Sequence, residues 1–244
     1  TCRDGCNSYY DESGGGQYSM PLRTTCISNN YTARCQLRVL NMTHYDFDTP
    51  VNETQIRQLK IGDTVTLNTT LFGIRDATQI HMFDRNRKTR FDLRGHAVIH
   101  TAPNVRKVDK STQYPTGYAP VCIGTTTSAR MERFTRPLMK EYGVRAIIGK
   151  GGLLDDSKQA FAELGGVYLA IIGGTAALET TWIEAIEDVD MDDLNPESLW
   201  RFRIREFGPL LVGMDAHGGS LYDNIRSTVA QRRDAALAAI GVIS

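Results

Sequence analysis

Hydrophobic and polar residues alternate in the first half of the chain in a way that predicts β-strands. After a turn at Gly62-Asp63, the residues Val65, Leu67 and Thr69 share one side of an extended segment, which is typical of a half-buried strand. Two short apolar runs, HAVIHTAP and YAPVCIG, predict two more strands. We therefore expect this part of the chain to be mainly β.

The second half alternates apolar runs with amphipathic segments. The runs VRAIIGKGG and VYLAIIGG are typical of buried strands that end in glycine turns, and WRFRIREFGPLLVG predicts two strands around Gly208-Pro209. Helices are predicted for SARMERFTRPLMKEYG, where Pro137 favours a kink or a break, for DDSKQAFAELGG, and for NIRSTVAQRRDAALAAIG. This strand–loop–helix order predicts an α/β fold with ligands outside the strand ends.

Residues 1–40 differ from the rest of the chain. They include the segment NSYYDESGGGQYS, which is polar, glycine-rich and without periodicity. It predicts an irregular arm or linker before an α/β domain at residues 41–244. Four of the five cysteines lie in this arm: Cys2, Cys6, Cys26 and Cys35. These cysteines could be free thiols, form disulfides within the arm, or bind a metal or an iron–sulfur cluster. The C-x-x-C pairs of common iron–sulfur clusters do not occur.

The composition excludes two classes of partner. The 244 residues carry 28 basic and 28 acidic side chains, so the formal net charge is zero. A balanced charge gives no electrostatic footprint for nucleic acid or an anionic membrane, and the apolar runs are too short to span a bilayer. We expect a soluble, cytoplasmic protein. The early cysteines and four N-x-T sequons, at Asn30, Asn41, Asn52 and Asn68, leave a secreted alternative.

The segment GTTTSARMER, residues 124–133, combines hydroxyl side chains with arginines directly after a predicted strand. If a helix begins near Thr126 to Ser128, its free N–H groups and its dipole favour an anion. A carboxylate there could also bind the hydroxyl of Thr126 and the guanidinium of Arg130, one turn along. The alternative is ordinary N-capping with Arg130 in solvent.

Two further cations follow predicted strands. Lys150 lies between glycines in IIGKGG, which fails the phosphate-loop pattern but suits another anion or a tight surface turn. Arg75 lies beside Asp76 in GIRDA, either in a site or in an exposed ion pair. The histidines lack metal-ligand spacing and form no recognisable nucleophile–base arrangement with Cys122.

Six motifs occur in the order of a known family: RDA, HTAPNVRK, GTTTSARME, GVRAIIGKGG, GGVYLAIIGGTAAL and ESLWRFRIREFGPLLV. Over about residues 45–235 the chain resembles the β subunit, or carboxy-terminal domain, of the iron–sulfur hydro-lyases. This family comprises class I fumarate hydratase and L(+)-tartrate dehydratase. The resemblance implies a swivelling β/β/α domain, preceded here by the irregular N-terminal segment.

The resemblance also implies partners and a cofactor. It implies a 4Fe–4S cluster held by cysteines of an α subunit or domain, with one iron acting as a Lewis acid on the substrate hydroxyl. This chain is then expected to hold no metal, to be active only with its α part, and to form a dimer of αβ units. The implied substrate is a dicarboxylate.

The resemblance assigns roles to four residues. Thr126 is implied in the proton-transfer step, together with an aspartate of the α part, because a threonine hydroxyl is a poor base alone. Arg130 is implied to clamp a substrate carboxylate, and Arg75 and Lys150 to supply further positive charge to the dicarboxylate.

The main expectation is the reversible hydration of fumarate to (S)-malate. The alternatives are the conversion of L(+)-tartrate to oxaloacetate and a non-catalytic dicarboxylate-binding module. Three motifs depart from the family pattern. Thr125 replaces the proline of G-P-T-T, and Gln79 stands where the histidine of R-D-x-x-H belongs, with His81 two residues later. Thr101 and Ala102 change H-A-G-P to H-T-A-P. We expect a less rigid threonine loop and an effect on substrate preference or activity.

Overall fold

The computed structural model describes residues 42–242. The predicted arm at 1–40, its four cysteines and the sequons at Asn30 and Asn41 therefore lie outside the described residues. The strands of the described part are β1 His44–Asp48, β2 Thr64–Ile74, β3 Ala97–His100, β4 Asn104–Lys107, β5 Tyr118–Cys122, β6 Ala146–Gly149, β7 Val167–Ala170, β8 Ile183–Asp190 and β9 Leu199–Met214. Its helices are α1 Glu53–Ile56, α2 Asp76–Phe83, α3 Glu132–Tyr142, α4 Asp155–Leu164, α5 Ala176–Thr181 and α6 Leu221–Ala239.

Seven of these strands form one mixed sheet in the order β1-β2-β3-β6-β7-β9-β8. The pairs from β1 to β7 are parallel, whereas β9 runs antiparallel to β7, β8 and β2. Because β9 pairs with both β7 and β2, the strands β2, β3, β6, β7 and β9 close into a ring. The predicted α/β class is confirmed, and the closure depends on β9.

Alternate residues of the central strands enter two separate hydrophobic clusters. In β3, Ala97 and Ile99 join the cluster around Trp200 and Phe202, whereas Val98 joins the cluster with α3 and α4. Strands β6 and β7 divide in the same way. Burial on both faces makes such strands read as continuous apolar runs, which is why their pattern predicted strands correctly.

The predicted division of one segment into two strands is wrong, and of the kink or break predicted at Pro137 the break does not occur. One strand, β9, replaces the two strands predicted around Gly208-Pro209, because the chain pairs with β2 before and after these residues. Helix α3 continues through Pro137 without a break and ends at Gly143 in the left-handed conformation. The side chains of Phe134, Leu138 and Met139 are buried on this helix, and their packing outweighs the missing N–H.

No helix within residues 42–242 combines the length and the apolar composition needed to cross a bilayer.

Candidate functional site

The candidate site lies where three neighbouring parallel strands end. Arg75 follows β2, His100 ends β3 and Lys150 follows β6, and β3 pairs with both other strands. Parallel neighbours end at the same edge of a sheet, so the three residues share one edge. Ligands of open α/β sheets bind at such edges.

The segment from Gly124 to Ser128 lies across this edge and is attached to it by its backbone. The N–H of Thr126 donates to the carbonyl of His100 (2.8 Å), and the N–H of Ser128 donates to the carbonyl of Lys150 (3.0 Å). Thr127 forms a parallel β-bridge with Lys150. The sheet edge therefore fixes the position of this segment.

The helical segment begins at the Ser128 end of the predicted range, but without the predicted side-chain cap. A 3-10 turn at Ala129–Met131 precedes α3, and Ser128 makes no side-chain capping bond. The N–H groups of Thr126 and Ser128 are bonded to the sheet edge and are not directed at a ligand. These two N–H groups are therefore not available to an anion, whereas the side chains of Thr126 and Arg130 are.

The side chain of Arg130 contacts both Thr126 and Asp76, the first residue of α2. The Arg130 guanidinium donates to Asp76 Oδ2 at 3.0 Å and to Asp76 Oδ1 at 3.4 Å. Its Nη2 also lies 3.4 Å from Thr126 Oγ1. About half of the Arg130 side chain is exposed, so this guanidinium can reach a ligand while it contacts both neighbours.

Arg75 joins the same group through two carboxylates. Its Nε lies 3.3 Å from Asp76 Oδ2 and 3.5 Å from Glu197 Oε1. The other oxygen of Glu197 accepts the N–H of Ala77 at 2.7 Å. Arg75 and Arg130 are therefore already paired with Asp76 and Glu197. The excess of positive charge at this position is smaller than the sequence implied.

Asp76 remains ionised in this group. Burial alone would raise its pKa, but the hydrogen bond and the charge of Arg130, together with the bond from Arg75, hold the pKa below its ordinary value. A carboxylate paired with two arginines orients both guanidinium groups.

Lys150 lies beside Thr126 along the backbone, but its side chain extends towards another loop. The N–H of Lys150 donates to the carbonyl of Thr126 (3.4 Å). Its aliphatic chain passes against Gly173, where an added Cβ would come within 2.8 Å of Lys150 Cδ. Lys150 forms no ion pair within the part of the chain that the structure describes. Its ammonium is therefore available to an anionic ligand.

The sequence analysis missed a buried hydrogen-bonded group that includes Ser128 and His100 of the site. Tyr168 donates its hydroxyl to Ser128 Oγ (3.1 Å), and Ser128 Oγ lies 2.9 Å from His100 Nδ1. Which of Ser128 Oγ and His100 Nδ1 donates depends on the tautomer of the ring. Burial lowers the pKa of His100 to about 3, so the ring is neutral.

The glycine at the end of β6 makes room for this group. A Cβ at Gly149 would lie 1.9 Å from Ser128 Oγ. The sequence signals for this arrangement were Gly149 in IIGKGG and His100 in HTAP, but no local pattern pairs these residues with Ser128.

Gln79 and His81 occupy opposite environments on α2. Gln79 is buried, and its amide nitrogen has no partner among the described residues. His81 is more exposed and its Nε2 lies 2.8 Å from Arg85 Nη1. His81 therefore does not occupy the position of Gln79.

The described residues do not supply ligands for an iron–sulfur cluster. Cys122, the one cysteine among the described residues, is exposed and free. No group of three or more histidine, cysteine, aspartate or glutamate side chains in residues 42–242 is arranged to hold a metal ion.

Comparison with known proteins assigns the chain to a family. A family model described as Fumarase C-terminus matches residues 21–225, which is most of the chain. The chain belongs to this family. The match begins upstream of residue 41, and the predicted domain boundary there stays a prediction.

Named relatives of this fumarase C-terminus chain are hydratases and dehydratases. L(+)-tartrate dehydratase subunit beta of Escherichia coli (strain K12) is 34% identical over 187 residues, which cover 76% of this chain and 90% of the relative. A putative L(+)-tartrate dehydratase subunit beta of Methanocaldococcus jannaschii is 35% identical over 75% of this chain and 93% of the relative. A putative fumarate hydratase class I of Geobacillus stearothermophilus is 38% identical over 75% of this chain but 34% of its own length. The resemblance stated from the motifs is confirmed.

Proposed function

We propose that this chain is the β component of a hydro-lyase that interconverts fumarate and (S)-malate. The observation that carries the proposal is the contact of Arg130 with both Thr126 and Asp76 at the strand edge, beside Arg75. Family membership supports the reaction class. The substrate then carries two carboxylates, which suits separate cationic side chains.

Thr126 is the proposed proton-transfer residue. Its hydroxyl is partly exposed, and the guanidinium of Arg130 lies 3.4 Å away. A cation at this distance stabilises negative charge on the oxygen. No carboxylate or imidazole in residues 42–242 forms a hydrogen bond with Thr126 Oγ1, so the base that activates it comes from elsewhere.

Arg130 and Lys150 are the proposed substrate-binding residues, and Arg75 supports them. Arg130 retains exposed N–H groups after its bonds to Asp76, and Asp76 fixes the plane of the guanidinium. Lys150 can bind the second carboxylate because its ammonium has no ion pair in the described part. Arg75 adds positive charge behind Asp76.

The names of the relatives, more than the described residues of this chain, point to a second polypeptide or domain. Relatives named as β subunits support an α partner. We propose that this α part holds the 4Fe–4S cluster and that the chain is active only with it, as a dimer of αβ units. The closed strand ring with helices outside supports a swivelling β/β/α domain. A cytoplasmic location stays a prediction.

L(+)-tartrate is the second candidate substrate, giving oxaloacetate. The observation that favours it is the match over 90% and 93% of the length of relatives named as tartrate dehydratase β subunits. Both substrates are four-carbon dicarboxylates, and the same cations would bind them.

An anaerobic pull-down of the full chain from its native cell extract tests the proposal. The complex should contain a second polypeptide with iron–sulfur absorbance and should turn over (S)-malate or L(+)-tartrate, and the faster substrate identifies the enzyme. A chain that binds both dicarboxylates but recovers neither a partner nor turnover would instead be a non-catalytic binding module.

A further inference from the structure

Helix α5 contacts three successive residues, 123–125, at the start of the segment that contains Thr126, which we call the threonine segment. Thr180 Oγ1 accepts the N–H of Ile123 (2.8 Å), and a Cβ added at Gly124 would lie 2.4 Å from Ala176 Cβ. Glu179 Oε2 accepts the N–H of Thr125 (3.1 Å). The residue immediately before Thr126 is therefore bound to a side chain of this helix.

Glu179 is a buried acid whose role the site described so far does not use. Its relative exposure is 1%. Its second oxygen, Oε1, lies 2.8 Å from Thr175 Oγ1. Buried carboxyl groups are retained at a cost unless every oxygen is satisfied, so the hydrogen bonds of this group need to be counted.

The count favours a neutral carboxyl. Thr175 Oγ1 also lies within hydrogen-bond distance of the carbonyl of Ile172. That carbonyl can only accept, and the hydroxyl has a single proton to give. If the hydroxyl donates to Ile172, Glu179 Oε1 must carry the proton that lies between it and Thr175. Only the neutral acid satisfies both contacts while Oε2 accepts from Thr125.

The surroundings of Glu179 agree with this count. Burial raises its pKa, against the opposing effects of its hydrogen bonds with Thr175 and Thr125 and of the charge of Lys150. Lys150 is the charged group that faces Glu179 in the described part of the chain. Its ammonium is thus left for an external anion and is not consumed by a buried ion pair.

We propose that Glu179 is a positioning residue for Thr126, and that it acts as a neutral carboxylic acid that holds the N–H of Thr125. In the family pattern a proline occupies the position of Thr125, and proline has no N–H. The contact between the Thr125 N–H and Glu179 therefore supplies rigidity that the proline ring would otherwise supply. Fixing Thr125 fixes the next residue, and with it the distance from Thr126 Oγ1 to Arg130. The kinetic consequence rests on the proposed function, whereas the contact itself does not.

A matched pair of variants tests the contact in the full chain. In Glu179→Gln, the amide reproduces the neutral acid, because its NH₂ donates to Thr175 and its carbonyl accepts from Thr125. Glu179→Leu fills a similar volume but accepts nothing. Amide hydrogen exchange of Thr125, followed by NMR, should be unchanged in the glutamine variant and at least about tenfold faster in the leucine variant. Fast exchange in both variants would show that the ionised form is needed and would overturn the neutral assignment.

Turnover of the complex with the α part tests the positioning role. Glu179→Gln should keep kcat within about threefold of the wild type with the same pH profile, and Glu179→Leu should lose about tenfold or more in kcat with little change in KM. A leucine variant with faster exchange but normal kcat would overturn the positioning role. A wild-type complex without turnover would refute the proposed function, while the exchange data would still decide the contact.

The carboxyl ¹³C resonance of Glu179 in the wild-type chain provides a test that needs no variant. At neutral pH it should have the shift of a protonated acid. The shift of a carboxylate would overturn the neutral assignment even if the leucine variant failed to fold.

Discussion

Asp76 shows how one residue can support two candidate ligand groups. It accepts from Arg130 and lies 3.3 Å from Arg75, and each of these side chains is partly exposed. In water such pairs contribute little to stability. We infer that the pairing serves orientation, because a guanidinium held in one plane loses less freedom when it binds a carboxylate.

Replacing Thr126 by valine should reduce turnover while leaving the fold intact. Valine has nearly the same shape but no hydroxyl, and loss of a positioned proton-transfer group costs about 10²-fold or more in kcat. Thr126→Ser keeps the hydroxyl and is the control that should retain most activity. Steady-state kinetics of the complex on (S)-malate and L(+)-tartrate measures both variants. A valine variant as active as the serine variant would remove Thr126 from the mechanism.

Asp76→Asn should tighten substrate binding and slow turnover. The change removes one negative charge beside Arg75 and Arg130, so the dicarboxylate should show a KM about two- to fivefold lower. Because Arg130 also loses its ion pair, kcat should fall. Glu197→Gln removes the same charge without touching Arg130, and it should lower KM with kcat unchanged. Equal kcat losses in both variants would argue against orientation by Asp76.

At the scale of elements, the site depends on how closely the threonine segment approaches β6. Thr127 forms a bridge with Lys150, and Ser128 occupies the space that a side chain at position 149 would need. This proximity lets three elements that are distant in sequence present their side chains on one edge. Glycine at the end of β6 is therefore a packing requirement.

Gly149→Ala should destabilise the chain by about 1–3 kcal/mol, because the new Cβ would overlap Ser128 Oγ. In the Ser128→Ala background the hydroxyl is gone, and the same glycine substitution should cost less. Urea denaturation of the wild type, both single variants and the double variant gives the coupling free energy. Strictly additive effects would show that the segment moves aside without strain.

For the whole molecule, buried histidines link stability to pH. Burial lowers the pKa of His100 to about 3 in the folded chain, whereas the pKa of an exposed histidine is near 6.5. Below pH 6.5 the imidazole binds a proton in the unfolded chain but not in the native chain, so the stability that His100 contributes is lost as the pH falls from about 6.5 towards 3. This loss is about 1.4 kcal/mol per pH unit within this window. Burial also lowers the pKa of His96, which adds to the effect in the same direction.

Urea denaturation at several pH values between about 5 and 7 tests this linkage. His100→Gln should be less stable than the wild type at neutral pH, since the imidazole contact with Ser128 is altered. Its unfolding free energy should nevertheless lack the His100 contribution to the pH slope. The remaining slope contains His96 in the same direction and the neutral Glu179 in the opposite direction, because the folded chain keeps a proton that the unfolded carboxylate has lost. An unchanged slope would show that His100 is protonated in the native state or does not titrate in this window.

Closure of the fold is a property of the whole chain as well. Strand β9 pairs with β7 and β8 as well as with β2, which lies more than a hundred residues earlier. No periodicity within β9 distinguishes a sixteen-residue strand from the two shorter strands that the sequence predicted. Long-range strand pairing decides between them, and local sequence patterns do not reveal such pairing.

The sequence by itself determined the α/β class, the buried strands, the glycines at their ends and the family, because these follow from local periodicity and from motifs in order. It also identified Thr126, Arg130, Arg75 and Lys150 as candidates. Only the tertiary structure decided which of these side chains are already bound to other groups of the protein. Asp76 binds Arg130 across 54 residues and Glu179 binds the amide of Thr125 across the same separation. Such contacts have no local signal, since they arise when the packed sheet and helices bring distant side chains together.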